Sequence, residues 1–229
     1  YWYLDTQAKD VRFATAGLTP LFLTIEGAGG SLSRTAFANA GDALTSRHHL
    51  QMRTIDLEAT HRSRVFRTNA LWAIGLRYAK MHQQTHVVAT DGTGALTELV
   101  GQNVDFEGFG PTFGVDLTRC LFARDAFLSR LSCFGSTRWS MLMGRQEQEF
   151  AYVAGGGAIV ENDEHRQDDF LPIGSLACGL QWVANPFGCG VWTIRTGYRA
   201  EAWWGTGGPV DADSNLSLHG MLLSIAGTW

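Results

Sequence analysis

The stretch GVWTIRTGYRAEAWWG, residues 190–205, alternates between two kinds of side chain. One parity is apolar and aromatic and runs from Trp192 to Trp204, whereas the other holds three charged residues, with Arg195 and Glu201 among them. A period of two is typical of a β-strand whose two faces meet different surroundings, since a helix would repeat every 3.6 residues. The stretch therefore predicts a long amphipathic strand.

The same alternation recurs along the chain, and it predicts an all-β fold. It appears in residues 50–61, 69–82, 105–118, 128–144, 171–184 and 220–229. With 190–205 and a first strand around Tyr1–Leu4, these segments give eight antiparallel strands. The segment LTPLFLTIEG, residues 18–27, fits either a hairpin within a loop or an extra strand pair, which would make ten.

The predicted connections alternate between long and short. They cover residues 6–46, 62–68, 83–102, 119–127, 147–167, 185–190 and 206–214. This order is typical of an up-and-down barrel whose two ends face different compartments. We therefore expect one domain over residues 1–229, with 6–46 as a long first loop that either is irregular or holds extra strands. A closed barrel also requires the last strand, which ends on Trp229, to pair with the first.

The composition of the two faces indicates which one points inward. The polar parity is rich in Gly, Ala and Ser, as the narrow interior of a small barrel requires, and its charges balance in sign. The apolar parity would then face lipid, which cannot solvate charge. The charged residues expected to line the lumen are Asp56, Glu58, Arg77, Asp116, Arg138, Arg195, Arg199 and Glu201. Arg138 is expected to pair with Asp116 or Glu58.

Aromatic residues on the apolar parity indicate two girdles. Trp192 and Trp204 are twelve positions apart, which spans about 30 Å at 3.3 Å per residue and a tilt near 40°. That span is close to the height of the apolar band of an outer-membrane barrel. The predicted girdle residues are Trp72, Tyr78, Trp139, Trp182, Trp192, Tyr198, Trp204 and Trp229.

Composition excludes several other classes. The net charge of −4 offers no basic field for nucleic acid. No run of 18 apolar residues is present, so a transmembrane helix is excluded. The chain begins Tyr1-Trp2-Tyr3, which indicates an N-terminus produced by cleavage or trimming.

The four cysteines lack the CxxC spacing of a zinc site, and free thiols and disulfides both remain open. They are Cys120, Cys133, Cys178 and Cys189. Cys133 and Cys178 lie on the apolar parity of neighbouring strands, each seven residues from a predicted turn. They are expected to be cross-strand neighbours on the lipid face, either joined by a disulfide or simply small apolar residues.

Other motifs are weak indications of a site. His48, His49, His82 and His86 lack a convergent carboxylate, so neither a metal nor a cofactor is expected. Ser129, Ser140, His82 and His219 show no spacing typical of a catalytic triad. The acidic run ENDEHRQDD, residues 161–169, is interpreted as a solvated outer loop in preference to a Ca²⁺ site or a cation bridge to lipopolysaccharide.

Four segments carry a family resemblance: RTIDLEATH (53–61), AIGLRYA (73–79), DFEGFGPTFGVD (105–116) and DDFLPIGSLACGLQW (168–182). From about Arg53 to the C-terminus the chain resembles the legionella/planctomycete-type family of pore-forming outer-membrane proteins. The resemblance implies a transmembrane β-barrel in the bacterial outer membrane, with no cofactor and no catalytic residues.

The expected function is a porin-like pore for passive diffusion of small solutes past the lumen charges. One alternative is a structural or surface-interaction barrel whose lumen is closed by salt bridges, and a second is a lipid-modifying enzyme. The expected partners are membrane lipids, lipopolysaccharide and the barrel-insertion machinery, and further copies of the chain or other envelope proteins. The terminal aromatic resembles the signal which that machinery reads.

Overall fold

The structure, a computed structural model, describes residues 2–13, 21–26, 33–39, 41–66, 68–121, 131–155, 159–184, 191–205 and 215–228. Every regular element in these ranges is a β-strand. The strands are β1 (Trp2–Phe13), β2 (Leu21–Glu26), β3 (Ser33–Ala38), β4 (Ala43–Val65), β5 (Thr68–Thr90), β6 (Leu96–Cys120), β7 (Leu131–Ala154), β8 (Ile159–Ala184), β9 (Val191–Trp203) and β10 (Leu216–Thr228). Within the same ranges, no helix has the length and hydropathy needed to cross a membrane.

Eight strands form one antiparallel sheet in the order β1-β4-β5-β6-β7-β8-β9-β10, and β2 and β3 form a separate hairpin. The prediction of eight strands is confirmed, and residues 18–27 contribute β2 to the hairpin within the first connection. The sheet curls into a half-barrel. Its order ends on β1 and β10, and the ladders of the described residues include none between these two strands.

The two faces of the sheet point as the alternation predicts. Leu57 is 75% exposed and Phe109 is 66% exposed on the convex face, whereas Arg77 and Glu201 are buried on the concave face. An apolar surface of this extent is stable against lipid and not against water, because lipid tails do not have to be ordered around it as water does. The charged parity therefore faces the interior because lipid surrounds the convex face.

The central strands are much longer than the sequence pattern indicates. The strands β4 to β8 have between 23 and 26 residues, about twice the 9–11 that a membrane crossing requires. The predicted loops 83–102 and 147–167 were wrong in this respect, since most of both segments is strand. The first of them turns only at residues 91–95. The acidic run 161–169 also lies within β8, although its side chains are mostly exposed, as a solvated segment requires.

These extensions are stable as strands because they pair with one another and with the hairpin. The β5 side chains of Val87 and Ala89 are buried against Val100 and Phe150, and Ala36 of β3 packs into the same cluster. Polar residues on both faces of such a segment hide the alternation of hydrophobicity, although the backbone ladder continues. β1 likewise continues to Phe13, beyond the predicted end at Leu4, and β4 already begins at Ala43.

Two glycines allow close approach of β8 and β9. Gly179 and Gly197 are directly opposite each other in the ladder. A Cβ atom at Gly197 would lie 2.1 Å from the carbonyl oxygen of Cys178, and one at Gly179 would lie 2.1 Å from that of Thr196. No side chain fits such a gap, so glycine is required at both positions.

We expect Gly197→Ala to lower the free energy of unfolding by about 2–3 kcal/mol, because the two strands must separate to admit the methyl group. Urea unfolding in lipid vesicles, followed by tryptophan fluorescence, measures the loss. Gly135→Ala is the matched control, since a Cβ there would meet no heavy atom within 4 Å. Equal stability of the two variants would contradict a requirement for glycine at position 197.

Candidate functional site in the barrel interior

A buried ion pair joins β4 and β5 on the concave face. Arg77 is 1% exposed and donates from Nε to Asp56 Oδ1 at 2.6 Å and from Nη2 to Oδ2 at 3.0 Å. The two residues are direct cross-strand partners. The bidentate geometry satisfies both charges where water is largely excluded. These two predicted lumen residues therefore hold each other.

A second ion pair crosses the interior. Arg138 on β7 donates from Nη2 to Glu58 Oε2 on β4 at 3.0 Å, and β5 and β6 separate these two strands in the sheet. Of the two partners expected for Arg138, the structure selects Glu58. The contact exists only because the sheet curls, so it ties opposite walls together.

A third charged group lies on β9. Glu201 is buried and accepts hydrogen bonds from Arg199 Nη2 at 2.6 Å and from the indole Nε1 of Trp203 at 2.9 Å. Arg195 donates from Nε to Gln181 Oε1 at 2.8 Å. Its guanidinium lies 5.3 Å from the ring centre of Phe134, within the range of a cation–π contact. No sequence pattern singles out Gln181, Trp203 or Phe134 as partners of these charges.

The remaining predicted lumen residue, Asp116, lines a polar cavity of about 310 Å³ in the half of the barrel nearer the short turns. Arg138, Arg195 and Arg199 line the same cavity. Two buried atoms of the second ion pair, Glu58 Oε1 and Arg138 Nε, have no hydrogen-bond partner within the described residues. The cavity lining is mainly polar, so water molecules could be held in it.

The interior also contains a feature that the sequence reading missed, an apolar layer to which all eight strands contribute. Trp203 and Met52 are completely buried in it. The prediction of small and polar residues along the whole inward parity is wrong for the outer half of the barrel. A signal was present, since large apolar residues interrupt the polar parity there. The layer comprises Leu50, Met52, Ala79, Met81, Val104, Phe106, Leu142, Leu171, Ile173 and Trp203, with Leu4, Leu216 and Leu218 packed against it.

The convex face changes from apolar to charged along one row of cross-strand neighbours. Tyr78, Phe109, Met143 and Phe170 form the last apolar row, and the next row outward is Lys80, Glu107, Arg145 and Asp168. The Tyr78 hydroxyl donates to Glu107 at 2.9 Å across this boundary. Hydrogen bonds from Tyr78 and Lys80 lower the pKa of Glu107. An edge this sharp marks the outer membrane–water interface.

The predicted girdle residues occupy several levels. Trp72, Trp182 and Trp192 lie near the short turns, and Trp72 donates from Nε1 to Ser63 at 2.9 Å. Tyr78 lies at the outer boundary. Trp229 lies outside the described residues.

Two of the predicted girdle residues, Trp139 and Tyr198, lie within the apolar band and not at its edge. Trp139 lies on the convex face of β7, closer to the short turns than Met143. It stacks on Trp204, with ring centres 5.8 Å apart. Tyr198, in the middle of β9, hydrogen-bonds His219 at 2.8 Å. These two residues pack within the apolar band.

The prediction that Cys133 and Cys178 lie directly opposite each other on neighbouring strands is wrong. Cys133 is opposite Leu180, and Cys178 is opposite Gly135, so the two cysteines are offset by two residues. Both are free thiols, and Cys120 is free as well. The prediction placed each cysteine seven residues from a turn, which aligns the two only if both turns lie at the same level of the sheet. The ladder instead pairs Leu131 with Trp182, which shifts the alignment by two residues. Cys189 lies outside the described residues.

The histidines make separate polar contacts. His49 bonds Asp5 and His82 bonds Asp105, each at 2.8 Å, and His48 bonds Thr85 at 3.0 Å. Among the described residues, no three His, Cys, Asp or Glu side chains are grouped to hold a metal ion.

The serine and histidines considered for a catalytic triad are separated by the sheet itself. Ser140 is on the concave face, where it donates to Thr112, whereas His82 and His219 point outward. Ser129 lies outside the described residues.

Comparison with known proteins places this arrangement in a family. Residues 1–226 match the family model described as Legionella pneumophila major outer membrane protein precursor. The match begins at residue 1, so it also covers the first 50 residues, where sequence motifs showed no similarity. No curated protein and no solved structure matches the chain. An antiparallel sheet with an apolar convex face and paired charges inside, matched over nearly its whole length, identifies the chain as a member of the Legionella-type major outer membrane protein family, located in the bacterial outer membrane.

Proposed function

We propose that this protein is a structural outer-membrane barrel whose interior is closed to solutes. The single observation that carries the proposal is the apolar layer, because every strand of the sheet contributes to it and its ten core members are buried. A complete barrel of eight strands has an interior just wide enough for side chains. A layer of this kind has neither the width nor the polarity that an ion or a hydrophilic solute needs.

The hairpin β2–β3 supports a second closure, farther out. Ala36 and Ala38 are completely buried against β5 and β6, and the backbone N–H of Phe37 donates to Glu98 at 3.0 Å. A hairpin held by both apolar contacts and a charge-assisted hydrogen bond is anchored rather than loose. It covers the interior between the strand extensions, outside the apolar layer.

Single-channel recording in planar bilayers tests the proposal. We expect the full chain to insert without steady current steps, because the layer excludes hydrated ions. Insertion is verified separately by protease protection and by the heat-dependent mobility typical of folded barrels. Reproducible steps of ohmic conductance from the unmodified chain would overturn the proposal.

A matched pair of variants locates the closure. Met52 and Met81 are opposite each other within the layer, so Met52→Ala with Met81→Ala widens it at one level. Met141 and Met143 point outward on β7, and the same two substitutions there leave the interior unchanged. We expect any leak to arise in the first variant only.

Passive diffusion of small solutes is the second candidate, and the polar cavity favours it. Among the ion pairs of the described residues none involves Asp116, and Asp116 lines the cavity together with three arginines. A polar cavity of about 310 Å³ is what a narrow pore would have at its inner mouth. The same recordings decide, since a pore lined by these charges conducts and a closed barrel does not.

A further inference from the structure

The convex face beyond the apolar band carries two rows of hydrogen-bond donors on β1, β4 and β5. Lys9, Arg47 and His86 are cross-strand neighbours and form the outer row. Gln7, His49 and Gln84 form the row next to it. Each of these six side chains has at least one N–H group, and two carry a permanent positive charge.

The two rows line a cavity of about 540 Å³ on the outer wall, to which His48 also contributes. None of its lining residues is acidic. Within the part of the chain that the structure describes, neither Lys9 nor Arg47 forms an ion pair. Asp5 lies one row closer to the membrane than Gln7 and His49, and its carboxylate bonds His49 at 2.8 Å. Among the residues that the structure describes, no carboxylate pairs with either of the two cations of the cavity.

The surroundings of the cavity are electropositive. Burial, and then the positive charge of Arg47, lower the pKa of His86. Burial and the neighbouring His49 lower the pKa of His48 in the same way. The opposite half of the convex face, on β6 to β8, is acidic instead. Its carboxylates are Asp105, Glu107, Glu147, Glu149, Glu164 and Asp168. Positive potential is therefore concentrated at one side of the barrel, around this cavity.

We propose that this cavity binds the phosphate group of a phosphorylated sugar. A phosphate dianion accepts several hydrogen bonds, which matches the fork of Arg47 and the point charge of Lys9, and the amides of Gln7 and Gln84 suit sugar hydroxyls. His86 lies eight residues beyond Tyr78, about 20 Å farther along the membrane normal at 3.3 Å per residue and a tilt near 40°. Two sources reach that level: the phosphorylated core sugars of outer-leaflet lipopolysaccharide, and free sugar phosphates outside the cell.

The test uses the full chain in phosphatidylcholine nanodiscs. It is titrated with a hexose phosphate, with lipopolysaccharide that carries core phosphates, and with the same lipopolysaccharide after phosphatase treatment. The site variant is Lys9→Ala with Arg47→Ala. The matched control is Arg145→Ala with Arg166→Ala, which removes the same charge from the acidic half of the convex face, where these arginines contact Asp168 and Glu147.

We expect the site variant to lose about tenfold or more in affinity for the phosphorylated ligands, and the control to stay within about twofold. Loss with lipopolysaccharide alone identifies the lipid as the source, and loss with the hexose phosphate as well shows that free sugar phosphates bind. Equal losses in both variants would reduce the site to diffuse attraction and overturn the proposal. Unchanged affinity overturns it too, as does a change in self-association alone, which would make the patch a contact between copies.

Discussion

Replacing Arg77 by alanine is expected to lower the free energy of unfolding by about 3–5 kcal/mol. The reason is the state of Asp56 after the change. Its carboxylate now accepts two hydrogen bonds from Arg77, at 2.6 and 3.0 Å, in an interior with little water. The variant would leave that charge without compensation, and a lone buried charge costs far more than the pair contributes.

A double variant separates the pair from the packing. Arg77→Met with Asp56→Leu removes both charges and keeps most of the volume, so it is expected to recover most of the lost stability. Lys80→Ala is the control for a surface pair, since Lys80 and Glu107 are both more than half exposed at 3.2 Å. Its effect should be within about 1 kcal/mol. Urea unfolding in lipid vesicles compares the four proteins, and an Arg77→Ala loss as small as that of Lys80→Ala would contradict the buried geometry.

Trp203→Ala is expected to have a similar effect, about 3–5 kcal/mol. Trp203 is completely buried in the apolar layer, and its indole N–H donates to Glu201 at 2.9 Å. Alanine leaves a cavity in the layer and removes one of the two donors to a buried carboxylate. The same unfolding measurement applies.

One further substitution separates the hydrogen bond of Trp203 from its packing, and a second serves as a control on the convex face. Trp203→Phe retains an aromatic ring and removes the N–H, so it should cost about 1–3 kcal/mol from the hydrogen bond. Trp139→Ala acts on a tryptophan that is 56% exposed on the convex face and stacks on Trp204, so it should cost about 0.5–1.5 kcal/mol. If Trp139→Ala were the more damaging change, the inward position of Trp203 would be wrong.

The alternation of side chains was sufficient to predict the strands within the membrane. Segments such as 69–82 and 105–118 place apolar residues on one parity because lipid lies on one side and paired charge on the other. The strand extensions above the band escaped prediction for the same reason. Residues 161–169 carry polar side chains on both parities. Residues 83–90 have Gln83 and Thr85 on the same parity as Val87 and Ala89, so neither segment shows a clear contrast between its two parities.

The pattern of side chains along the sequence does not predict the register of neighbouring strands or which charged residues come into contact. Equal spacing from two predicted turns suggested that Cys133 and Cys178 meet, yet the ladder offsets them by two residues. A shift of two keeps every side chain on its own face, so hydrophobicity gives no warning of it. The sequence placed Arg138 near either Asp116 or Glu58 and could not choose between them.

By itself, the sequence determined that this chain is an eight-stranded antiparallel sheet with an oily outer surface and charges inside, because side chains alternate with period two and lipid admits only one of the two orientations. Tertiary structure alone decided which groups meet. The curl of the sheet brings Arg138 of β7 to Glu58 of β4 and gathers the apolar layer from all eight strands. The register aligns Lys9, Arg47 and His86 in one row. Contacts between residues far apart in sequence depend on strand stagger and curvature, which no local pattern encodes.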